Sequence, residues 1–169
     1  MQALTIRLSP LTKIAMAILM ILSCPFVGSS ASKPAIAEDR MVLGPRQFET
    51  DKSGGAVLCA WSMYLSIRTQ TTACSVPREP VDDAIDEAIT TIDGFIIANS
   101  SLHPTHEMLK DFKRRAGEAE LGRARQLGMQ KYCENHLARH FRRQSPDQIR
   151  ASVKGLLAVP REPVMNPCL

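Results

Sequence analysis

Apolar residues recur at intervals of three and four along most of this chain, the period of helices that bury one face. After "SGG" at 53–55, Leu58, Trp61 and Leu65 predict a first helix near 56–70. "TQTTACSVPREP" should end it, because β-branched threonines weaken a helix and Pro77 blocks continuation. Pro80 then opens a second pattern in which Val81, Ile85, Ala88, Ile92 and Phe95 mark the buried face. Its acids Asp82, Asp83, Asp86 and Glu87 crowd the first turns, where the helix dipole favours them. They lack the alternating oxygen ligands and glycine of an EF-hand loop, so a helix start is the better reading than a calcium site.

Thr105 is placed to cap a third element, and from there to Phe141 helix formers are interrupted only by Gly117, Gly122 and Gly128. The stripe Leu109, Phe112, Ala116 and Ala119 meets Arg123 in its next slot, so the pattern slips near "GEAELG". Residues 105–141 read as one helix or two; isolated glycines cost only about 1 kcal/mol each and no proline intervenes, which favours one. "SPDQIRASVKGLLAVP" announces the last helix: Ser145 caps it, Pro146 takes the first position and Gln148 closes a capping box. Ile149, Val153, Leu156 and Leu157 form its buried face before Pro160. The expected fold is all-α, a small irregular bundle of about four helices over residues 56–169, preceded by a flexible lead-in at 38–55.

The start of the chain has a different character. Arg7 and Lys13 precede the apolar run "IAMAILMILSC", and "PAIAED" follows. Eleven residues rise only about 16 Å, too little to span a bilayer, so 1–37 reads as a secretory signal cleaved after Ala37, with Ala31 the nearby alternative. "ILSC" loosely resembles a lipobox, which would make Cys24 a lipid anchor. Removing the signal leaves 132 residues with 18 basic and 17 acidic side chains, so the basic balance of the whole chain belongs mostly to the leader and argues for no nucleic-acid partner. The remaining charge is polarised: residues 38–108 carry −6 and residues 109–169 carry +7. Complementary helices packed together account for this more simply than an acidic partner does.

Beyond the leader, Cys59, Cys74, Cys133 and Cys168 form an even set without a CxxC, which reads as two disulfides. Cys59 with Cys74 would need the ends of the first helix to meet across about 20 Å. A long third element would overshoot its predecessor and bring Cys133 to Cys74, leaving Cys59 for Cys168, and this is the favoured pairing. A fold-back would exchange partners. The hexapeptide "VPREPV" occurs at 76–81 and again at 159–164, each copy after a helix and near a cysteine. Stiff extended connectors explain it, although each copy also has the PxxP spacing of a docking ligand.

His103 with His106 and His136 with His140 are spaced to share a Cu or Zn ion pairwise. A joint four-histidine site requires the chain between them to fold back, since a continuous helix would separate the pairs by about 45 Å. "THEMLK" lacks the second histidine of HExxH, and there is no GxSxG, P-loop or GxGxxG. The low aromatic content argues against a large apolar ligand pocket. The leading expectation is therefore an exported protein, periplasmic or secreted, with a non-catalytic binding role and no cofactor. It would meet an unknown protein or an anionic envelope surface through Arg139, Arg142 and Arg143. A metal-binding module built on the histidine pairs and a small hydrolase with a site assembled in space are the alternatives.

Overall fold

A computed structural model describes residues 42–168 apart from Ser53 and Asn135. The signal, its cleavage points and Cys24 lie outside the described residues. The elements are α1 (Val57–Ala73), α2 (Pro80–Asn99), α3 (His106–Leu127), α4 (Met129–Cys133), α5 (His136–Phe141) and α6 (Pro146–Leu156). No strand occurs among the described residues; Thr50 and Asn166 form one isolated bridge. The molecule is an all-α bundle.

Helix α1 is its axis, packed against α2, α3, α4 and α5. A helix covered on several sides needs apolar residues around most of its circumference, and Val57, Leu58, Cys59, Trp61, Tyr64 and Ile67 are all buried. It runs past the predicted end to Ala73 because tertiary contacts override the weak propensity of "TQTTA". Gln70 and Thr71 are buried, and the Gln70 amide donates to the Tyr132 carbonyl at 2.5 Å. Helix α2 starts as its sequence directs, with Pro80 in its first turn and Asp82 accepting the Glu79 N–H at 2.9 Å. Ile85, Ile92 and Ile96 are fully enclosed on its inner face. Helix α6 packs on α2 through Ile149 and Val153. Its capping box is present: the Ser145 hydroxyl accepts from Gln148 N–H at 3.2 Å and the Gln148 side chain accepts from Ser145 N–H at 2.7 Å.

The reading of 105–141 as one helix is corrected. Helix α3 passes without interruption through Gly117 and Gly122 and stops at Gly128, whose φ of +92° is accessible at low cost only to glycine. A straight continuation would carry Cys133 about 9 Å further along the axis. Instead the chain turns and α4 delivers Cys133 to Cys74, with the Cα atoms 5.6 Å apart. Cys59, which is buried in α1, is bonded to Cys168 with Cα atoms 5.3 Å apart.

The segment expected to be a mobile lead-in is packed where it is described. Leu43 joins the core, and its carbonyl accepts the Ser100 hydroxyl. Gln47 is buried, and its carbonyl accepts from Met165 N–H at 2.7 Å. The partners of this segment are Ser100 after α2, 57 residues away, and residues near the end of the chain, which is why local sequence did not disclose them. The second "VPREPV" runs alongside it: Leu58 N–H donates to the Val164 carbonyl at 3.0 Å. Arg161 pairs with the buried Asp51 and also donates to the Gly55 carbonyl at 2.7 Å. Arg78, its counterpart in the first copy, lies exposed and pairs with Asp83 and Asp86. Pro163 is fully buried, so the second copy offers no PxxP ligand surface.

Candidate functional site

The predicted histidines do not converge. His103 sits at a positive φ in the turn after α2, with its N–H donating to the Ser100 carbonyl at 3.1 Å, and His106 opens α3. Both are exposed. His136 and His140 belong to α5, whose neighbour Arg142 reaches Asp82 at the opposite end of α2. The helix from Asp82 to Asn99 rises about 25 Å, so the two pairs stand at opposite ends of the bundle. Among the described residues no three His, Cys, Asp or Glu side chains are grouped to hold a metal ion.

The predicted arginine face is also divided. Arg139 and Arg143 are exposed, but Arg142 is drawn inward. Its guanidinium donates to the Pro77 carbonyl at 2.6 Å and to Asp82 at 3.1 Å, and lies 3.4 Å from Glu79. Arg142 therefore holds α5 to the start of α2, and the basic surface is smaller than the sequence suggested. The acidic cluster is met in the same way. Asp82 and Asp86 take Arg68, Asp83 and Asp86 take Arg78, and Glu87 takes Arg150 at 2.9 Å. Lys113 on α3 pairs with Asp93 on α2. Arg142, Arg150 and Lys113 join the basic half of the sequence to acids of the other half, so part of the charge polarity is satisfied inside one molecule.

The concave feature with the strongest apolar bias lies between α1, α3, the segment 43–48 and Met165. Its volume is about 400 Å³, and its walls come from four separate segments. Helix α1 supplies Leu58 and Trp61 as a floor, α3 supplies Phe112, Ala116 and Ala119 as one wall, and Phe48 and Met165 close the other. Trp61 is fixed on both sides. Its ring stacks on Phe112 with centroids 5.3 Å apart, and its indole N–H donates to Asp93 at 2.8 Å. The alanines at 116 and 119 leave the space that larger residues at those positions would fill. Among the described residues the polar lining consists of Gln47, Ser62, Arg115 and Arg123, with no carboxylate.

The arginines lie along the α3 edge. Arg115 is 3.0 Å from Asp111, a carboxylate that the Arg114 hydrogen bond holds below its usual range, and Arg123 is exposed. Glu120, on a neighbouring face of α3, accepts from Ser66 at 2.8 Å and from the Tyr132 hydroxyl at 2.6 Å. Burial, followed by this contact with Glu120, raises the Tyr132 pKa; burial alone raises that of Tyr64.

The low aromatic content argues against a large apolar pocket, but the aromatics present are concentrated. Three of the chain's eight aromatic residues, Phe48, Trp61 and Phe112, line this one cleft. A signal for it was present in the stripe Leu109, Phe112, Ala116, Ala119 and then Arg123. Its last member marks the charged edge of a cleft on an unbroken helix rather than a slip between two helices. Comparison adds no relative from which a role could be taken: the chain matches no protein-family model, no curated protein and no solved structure.

Proposed function

We propose that this chain is an exported, disulfide-locked helical binding protein without a catalytic role, and that it binds an apolar group in the cleft between α1 and α3. The observation that carries the reading is the cleft itself. About 400 Å³ of concave space with a largely apolar lining falls within the range of small-molecule sites. Trp61 and Phe112 are held rigid before any ligand arrives, so little ordering cost attends binding. Export is supported by the signal-like leader and by two disulfides, which persist in oxidising compartments. Among the described residues no helix is long and apolar enough to cross a membrane.

The neutral fluorophore N-phenyl-1-naphthylamine tests the site, with energy transfer from Trp61, the only tryptophan, as the signal. Saturable binding at one site is expected. Ala119→Leu, an exposed helical position on the cleft wall, should abolish it while leaving the unfolding curve in place. Absence of saturable binding, or equal binding by the filled variant, rejects the cleft as the site.

A further inference from the structure

The two disulfides differ in what surrounds their sulfurs. Cys59 is 2% exposed within the buried run of α1, and only its partner Cys168 reaches the surface. Cys74 and Cys133 are both half-buried, and both line a hollow of about 140 Å³ together with Gln70, Val76 and Ala138. Thiol–disulfide exchange needs access to one sulfur and a tolerable leaving thiolate at the other. At Cys59–Cys168 an incoming thiolate can reach only Cys168. It must then expel the Cys59 sulfur into its buried site, where the charged form is disfavoured and departure is slow. At Cys74–Cys133 either sulfur can be approached, and the departing thiolate meets water.

The elements that carry the bonds differ as well. Cys133 ends α4, none of whose residues is buried. Helix α4 is further held by the Gln70 amide on the Tyr132 carbonyl and by the Tyr132 hydroxyl on Glu120. Helix α5 beyond it has anchors of its own. Ala138 is buried, Phe141 meets Tyr64 edge-on with ring centroids 6.0 Å apart, and Arg142 reaches Asp82. Opening the Cys74–Cys133 bond therefore frees α4, between Gly128 and α5, without uncovering the core.

We infer that Cys74–Cys133 is a site of reversible thiol exchange, open to a dithiol reductant in the folded protein, whereas Cys59–Cys168 is a permanent structural bridge. One thiolate of the reductant bonds to either sulfur of the pair, and the other sulfur leaves as a thiolate that solvent protonates. The reductant's second thiol, losing its proton to solvent, then closes onto its first sulfur and expels the remaining cysteine. The reductant ends as a disulfide, and the protein gains two electrons and two protons.

Dithiothreitol in limited amount, followed at intervals by iodoacetamide and peptide mapping, reads both bonds in the intact folded protein. Cys74 and Cys133 should become alkylated at least about tenfold faster than Cys59 and Cys168. Sub-denaturing urea should leave the faster reaction unchanged and accelerate the slower one, because only there must the leaving sulfur first be uncovered. The form carrying two thiols should keep a cooperative urea transition. Equal rates, the reverse order, or a Cys74–Cys133 reaction that rises with urea in step with unfolding overturns the inference, as does loss of the cooperative transition in the two-thiol form.

Discussion

Asp82 offers the sharpest test of how the bundle is held together. The residue is 1% exposed at the junction of α1, α2 and α5. One oxygen accepts from Glu79 N–H at 2.9 Å and from Arg142 at 3.1 Å, while the other lies 3.4 Å from Arg68. Truncation to alanine removes the contact at the helix start, worth about 1 kcal/mol. It also removes the anion from two largely buried cations, and breaking such a pair costs about 3–5 kcal/mol when nothing substitutes. Substitutes exist here: Arg68 keeps Asp86 at 2.6 Å, and Arg142 keeps the Pro77 carbonyl at 2.6 Å.

The low end of that range is therefore appropriate. Asp82→Ala should lose about 3–4 kcal/mol and Asp82→Asn, which still accepts from the Glu79 N–H, about 2 kcal/mol. Urea unfolding with the disulfides intact measures both, and the slope should be unchanged. Adding Arg142→Met to Asp82→Ala should cost less than the sum of the two single changes, since they share one interaction. A loss below about 1 kcal/mol for Asp82→Ala, or strict additivity with Arg142→Met, would refute the reasoning.

Other expectations follow from the same contacts. Replacing Cys59 and Cys168 together by serine should cost about 4–5 kcal/mol, since the bridge closes a separation of 109 residues; urea midpoints give the value. Arg161→Met should destabilise by about 2 kcal/mol, because Asp51 loses its guanidinium but keeps the Gly54 N–H, and amide exchange should accelerate first in the segments 42–51 and 159–168. Tyr64 and Tyr132 are the chain's two tyrosines, and both hold their protons more tightly in the folded state. Phenolate absorbance should therefore stay low in the native protein at about pH 10, where the unfolded chain is half ionised. The linked stability is complete below about pH 10 and falls as pH rises above it, so a native titration centred at pH 10 would contradict the assigned environments.

The elements legible in the sequence are those specified by neighbours in the chain. Ser145, Pro146 and Gln148 start α6 with contacts three residues apart, and Pro80 with the acids behind it starts α2 in the same local way. Gly128 was harder to read, because a glycine within a helical pattern does not reveal whether its φ will turn positive. What turns the chain there is the pull of Cys74 and Gln70 on α4. Arg142 looked like part of a surface because its partners, Pro77 and Asp82, lie sixty or more residues earlier. The cleft depends on still longer separations. Phe48, Trp61, Phe112 and Met165 come together only when the segments around 43–48 and 165 pack beside α1 and α3.

Native mass spectrometry of the protein recovered from the envelope fraction or medium of producing cells, without delipidation, tests the whole account at once. The account predicts a chain lacking its leader, with both disulfides formed and one small apolar molecule bound, the adduct disappearing in Ala119→Leu. A full-length intracellular chain with alkylatable thiols and no adduct would contradict it.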